Sequence, residues 1–209
     1  MLRNMRDDGL RFVFLPPMRA PLRRRWTNGE GIVDVVVGSA EAITARQIER
    51  DGGAPQPAIV VGQGLVPGVV SVVVETPRAA VRACAILVSL LQGGDRTPQG
   101  RHGIDAFDLA SILRVPAGST RRACLLRHHA ATYVEGARAA ARALGGRPLS
   151  DVLMTLSSSS HDHPLTDANE GLQLMVDDDD LNFIVGLAFM RRTPRVARIE
   201  LCAVFGPGA

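Results

Sequence analysis

The densest group of side chains able to do chemistry is Ser157-Ser-Ser-Ser160-His161-Asp162-His163-Pro164. His161 and His163 are two residues apart, so in an extended segment both imidazoles project to the same side. An imidazole titrates near neutral pH and, once oriented by a carboxylate, serves as a general acid or base; Asp162 is the candidate orienting group. The same H-x-H spacing could bind one metal ion, with Asp167 and Glu170 as further ligands. It lacks a third ligand at a recognised spacing, so no metal centre is assigned. The serines carry no nucleophile reading, because no G-x-S-x-G elbow occurs and four in a row single none out.

Other charged and polar groups give weaker signals. His128 and His129 are adjacent, and on a helix they would point roughly 100° apart. An inward-facing His128, with Arg122 or Arg127 nearby, could contact a bound anion. The run Asp177 to Asp180 lacks the alternating ligands and central glycine of a calcium loop and reads as a solvated turn. Gly62-Gln-Gly-Leu-Val-Pro-Gly68 has its third glycine one place late, a proline that removes an amide donor, and β-branched residues where a phosphate-binding helix should begin. A turn between two strands accounts for it.

These groups must be positioned by alternating β-rich and helical segments. Arg11–Leu15, Ile32–Val37, Ala58–Gly62 and Gly68–Glu75 read as strands from their β-branched content. Ser39 can cap a helix ending before Gly52. Thr76-Pro77 opens a second helix that stops at Gly93 and is apolar around most of its circumference, which marks it for burial or a subunit contact. Gly93 to Gly103 has no periodicity and reads as a boundary or loop. A long helix is predicted over Thr120–Leu144, stopped by Gly145-Gly146. Val152–Ser157 is predicted as a strand, and a short helix, capped by Thr166 or Asp167, follows. Asn182–Met190 and Val196–Phe205 are predicted as an antiparallel hairpin.

Composition narrows the function classes. All 24 basic residues among the 209 are arginine. Without a lysine there is no Schiff base, no pyridoxal-phosphate aldimine and no P-loop or kinase-type lysine. Arginine still suits carboxylates and phosphates through its planar fork. Aromatics make up 4% of the chain, which argues against a base-stacking nucleic-acid platform. Cys84, Cys124 and Cys202 lie far apart in apolar runs and read as reduced core residues of a cytoplasmic protein. No apolar stretch is long enough to span a bilayer, and the N-terminal run closed by Pro16-Pro17 does not resemble a secretory signal. Residues 1–28 carry seven arginines against two aspartates and form a basic arm suited to an acidic partner.

The expectation is an α+β fold, with a mixed, largely antiparallel sheet packed against two or more helices over residues 29–209. Arg-Ala-Cys recurs at 82–84 and 122–124, and each predicted helix ends in Gly-Gly, which suggests two similar halves, 29–95 and 104–209. The element order of the last third resembles that of small trimeric α+β folds such as the Rid and chorismate-mutase-like groups, in topology alone. The functional expectation is a soluble enzyme acting on a small anionic metabolite. His161, Asp162 and His163 would be catalytic and Arg122 and His128 substrate-binding, in a pocket between halves or subunits of a homo-oligomer; no cofactor is implied. The alternative is a noncatalytic oligomeric subunit or scaffold whose arginine-rich arm binds a partner.

Overall fold

The structure is a computed structural model that describes residues 10–15, 33–39, 42, 57–92, 104, 106–116, 118–158, 165–174, 181–189 and 197–206. Contacts divide the chain into two compact units: Met1–Val88 with Asp105–Ala123, and Ser89–Ile104 with Cys124–Ala209.

The first unit contains strands β1 (Leu10–Phe14), β2 (Val33–Ser39), β3 (Ala58–Gln63) and β4 (Val70–Val73), and the opening residues of β5 (Arg121–Ala130). They are hydrogen-bonded in that order and every pairing is parallel. Strands buried on both faces read as continuous apolar runs, which is why the valines of β2 and β3 show no polar alternation. Val36, Val60 and Val66 pack together, with Leu15 and Val69 beside them. The exception within β2 is Asp34, fully buried, whose two carboxylate oxygens accept from Arg11 Nε at 2.6 Å and Nη2 at 2.7 Å. Arg11 therefore belongs to β1, while the other arm arginines lie outside the described residues. Helix α1 (Pro77–Gln92) opens as predicted, with Thr76 Oγ1 accepting from Ala79 N at 3.2 Å, and buries Ala80, Ala83, Cys84, Ile86, Leu87, Leu90 and Leu91. Helix α2 spans Ala106–Ile112.

The second unit holds the rest of β5, then α3 (Tyr133–Leu144), β6 (Leu149–Ser158), α4 (Leu165–Gln173), β7 (Asn182–Phe189) and β8 (Ala197–Phe205). Its strand order is β5-β8-β6-β7. β6 runs parallel to β7 and antiparallel to β8. Tyr133, Ala137, Ala140 and Leu144 of α3 pack on Val152, Met154 and Leu156 of β6 and on Ile199, Leu201, Ala203 and Phe205 of β8. Alternation along each strand sends the intervening residues to the opposite face.

The mixed α+β architecture is the one expected, with eight strands and four helices delimited among the described residues. Three details differ. Parallel pairing dominates the sheet, since the first five strands are parallel neighbours. The helix expected over Thr120–Leu144 is β5 followed by α3. A capping box divides them: Thr132 Oγ1 accepts from Glu135 N at 3.2 Å, and Glu135 Oε2 accepts from Ala131 N at 3.2 Å. The predicted hairpin does not form, because β6 lies between β7 and β8. Residues of β8 are buried on both faces, so this strand needs a neighbour on each side and takes a central place, leaving the edge to β7. The element order of the last third, helix, strand, helix and two strands, is the one expected; what differs is which strands are neighbours.

α3 ends on Gly145 in the left-handed region (φ 68°), as the Gly-Gly stop predicts. Within α3, Gly136 sits over β8, and a Cβ there would lie 2.8 Å from Ile199 Cδ1. Helix propensity alone makes Gly136→Ala stabilising by about 1 kcal/mol. Overpacking reverses the sign, and the expected net loss is about 1–2 kcal/mol. Thermal or urea unfolding of Gly136→Ala should show that loss, and adding Ile199→Val, which removes the clashing methyl, should recover most of it.

Candidate functional site

The predicted catalytic group His161, Asp162 and His163 lies outside the described residues, as does the Asp177–Asp180 run. The two predicted substrate-binding residues are on β5, not on a helix. Arg122 is exposed and His128 half-buried. Both are even-numbered positions of one strand, Arg122 in its opening residues within the first unit and His128 within the second. Asp167, a candidate metal ligand in the sequence, instead accepts from Tyr133 N at 2.9 Å through Oδ2 and so ties the start of α3 to α4. Among the described residues no group of three or more His, Cys, Asp and Glu side chains is placed to hold a metal ion.

His128 shares its β5 face with Cys124 and Leu126, which pack against the α3 core. Its Nε2 is buried without a hydrogen-bond partner among the described residues. Desolvation, and then the neighbouring His129, lower its pKa below the ordinary histidine value, so the imidazole is neutral at neutral pH. Burial pushes the Cys84 and Cys202 thiols up to about 12, which removes them as nucleophiles. Cys124 is half-buried, and none of the three is in a disulfide.

The opposite face of the second unit carries a cluster that the sequence reading did not single out. Arg198 and Glu200 alternate with the core-facing Ile199 and Leu201 on β8, and Thr155 and Ser157 alternate with Met154 and Leu156 on β6. The antiparallel register sets Thr155 opposite Glu200 and Ser157 opposite Arg198. Glu200 is fully buried. Its Oε1 accepts from Arg127 Nε of β5 at 2.5 Å, and its Oε2 accepts from Ser89 Oγ of α1 at 2.8 Å and lies 3.6 Å from Arg198 Nε. Thr155 Oγ1 donates to the Leu90 carbonyl at 3.0 Å, satisfying one of the last-turn carbonyls that α1 leaves without an intrahelical donor. Charge-assisted hydrogen bonds from two elements thus compensate the desolvated carboxylate.

A signal for this cluster was present in the sequence. Two opposite charges two residues apart, Arg198 and Glu200, interrupt an otherwise apolar strand and must share one face. Thr155 and Ser157 repeat the spacing on β6. Chemically the arrangement is an ion-pair and hydrogen-bond network centred on the buried Glu200 carboxylate.

No protein-family profile matches this chain, and no curated protein matches it. Solved structures do. An empty FtsZ dimer from M. jannaschii aligns over 84% of this chain and 64% of its own, with TM-score 0.54 and 12% identity. The GDP-form protofilament structure of TubZ from Bacillus thuringiensis serovar israelensis aligns over 86% and 63%, with TM-score 0.54 and 11% identity. The fold is FtsZ-like. A helical structure of the four-stranded TubZ-Bt filament aligns over 88% of this chain and 64% of its own, with TM-score 0.53 and 13% identity. This chain thus spans a little under two thirds of the length of these three FtsZ-like proteins.

Two outcomes check the site. Arg127→Met should cost about 2 kcal/mol, less than the roughly 3–5 of a fully buried broken pair, since the Arg127 side chain is 30% exposed. Arg198→Met, whose nitrogen stands farther from Glu200, should cost under about 1 kcal/mol in the same urea titration. Mass spectrometry after brief thiol labelling of the native protein should find modification at Cys124 before Cys84 or Cys202. Equal labelling of the three would contradict the burial described.

Proposed function

We propose that this chain is a noncatalytic homo-oligomeric subunit that associates with copies of itself. The observation that carries the reading is the fold likeness over 84–88% of the chain to proteins solved as a dimer, as protofilaments and as a four-stranded filament. The edge strand β7 supports it. Asn182–Phe189 contains neither a charged residue nor a proline, the usual devices that keep an edge strand from pairing with another chain. No helix among the described residues is long and apolar enough to cross a membrane. The arginine-rich arm fits the same reading as a contact to an acidic partner or to a neighbouring copy.

Sedimentation velocity of the full chain across a wide concentration range tests this. The sedimentation coefficient should rise with concentration, and a single monomeric species at every concentration would overturn the proposal. The contribution of the arm is read by substitution, not deletion, because β1 lies within residues 1–28 and pairs with β2. Arg23, Arg24 and Arg25 changed together to Gln should leave folding intact and weaken association if the arm participates.

A further inference from the structure

β7 has β6 on one side and no described strand on the other. Among the described residues its hydrogen bonds run to β6 alone: the parallel ladder from Asn182 to Phe189, and Asn182 Nδ2 donating to Asp151 Oδ1 at 3.0 Å. Alternate residues of such a strand aim N–H and C=O outward, so this edge of eight residues offers donors and acceptors to a further strand.

The two faces of β7 are engaged within its own unit. Phe183 and Val185 pack against the core that α3 shares with β6 and β8. On the other face Gly186 stands against Ile104, where a Cβ would come within 2.9 Å of Cγ1. What β7 leaves to a partner is its edge.

We propose that β7 pairs antiparallel with β7 of a second copy about a two-fold axis; this rests on the self-association proposed above. A two-fold axis sets one patch against itself, so like charges would confront one another. Asn-Phe-Ile-Val-Gly-Leu-Ala-Phe contains no charge, and no proline removes a donor, so the strand is compatible with its own copy. Its outward N–H and C=O groups are equal in number and match those of an identical strand run antiparallel. The axis is normal to the sheet, so residues of equal parity meet. Either Val185 meets its own copy and Ile184 meets Gly186, or Gly186 meets its own copy and Val185 meets Leu187. In both registers α3 of each copy lies on the same face, and the half-buried Phe183, Ile184 and Val185 gain cover.

Hydrogen–deuterium exchange of the full chain, compared between dilute and associated protein, reads the edge. About half of the β7 amides should gain protection on association. Ile184 lies on the face away from α3 and near the axis in both registers. Ile184→Lys therefore brings two like charges together and should weaken association about tenfold or more, with circular dichroism verifying the fold. Ile184→Glu should do the same, and mixing the two variants should restore association, which a merely structural defect would not do. If either variant fails to fold, the exchange result decides alone. Association without β7 protection, or folded variants that stay apart on mixing, would overturn this inference and leave self-association standing. Full β7 protection in the dilute monomer would also overturn it and assign the edge to a segment of the same chain. A wild type that never associates would overturn both readings.

Discussion

The second unit is organised around a desolvated carboxylate. Glu200 has no solvent exposure, and a buried ion of this kind is tolerated only where hydrogen bonds and opposite charge replace lost hydration. That requirement constrains four elements together. β8 must lie beside β5 so that Arg127 reaches Oε1, and the last turn of α1 must bring Ser89 to Oε2. β6 then supplies Thr155 to the Leu90 carbonyl, which fixes the same turn from the other side. The opposite face of β6 and β8 is apolar and carries α3. One sheet therefore joins a polar, geometrically demanding layer to an apolar layer that is satisfied by shape. The polar layer specifies which strands must be neighbours, and the apolar layer supplies most of the stabilisation.

The absence of lysine takes on a structural meaning in this light. The ion pairs described in the two units, Arg11 with Asp34 and Arg127 and Arg198 with Glu200, all engage a guanidinium Nε. A planar fork can present Nε and a terminal nitrogen to both oxygens of one carboxylate, as Arg11 does to Asp34. An ammonium has no second donor in a fixed direction. Compositional bias toward arginine thus places at these positions the cation that suits a buried acid, whatever the origin of the bias.

Much of the fold was legible because its strands are strong local signals. The valine-rich runs of β2 and β3, the Thr76-Pro77 start of α1 and the Gly145 stop of α3 each follow from one local preference, and each is found. β5 was missed because Arg-Arg-Ala-Cys-Leu-Leu-Arg-His-His-Ala has no β-branched residue and is rich in good helix formers. Its strand state comes from pairing with β4 and neighbouring β8, which is tertiary information. The Thr-x-x-Glu box at Thr132 was a readable warning that the helix began late. Pairing β7 with β8 followed the rule that consecutive strands are usually neighbours. The burial of β8 on both faces overrode it.

Functional residues were less legible than elements, for a reason specific to alternation. A loop such as Ser157 to Pro164 displays its polar residues consecutively and attracts a catalytic reading. A polar layer on a sheet is spread over several strands at every second position, and each strand contributes one or two members. Ser89, Arg127, Thr155, Ser157, Arg198 and Glu200 span more than a hundred residues of sequence and become a cluster only once strand order and register are known. The informative unit in such a chain is the pair of polar residues at spacing two inside an apolar strand. Arg198 with Glu200 and Thr155 with Ser157 are two such pairs, and their coincidence on neighbouring strands is what turns isolated charges into a site.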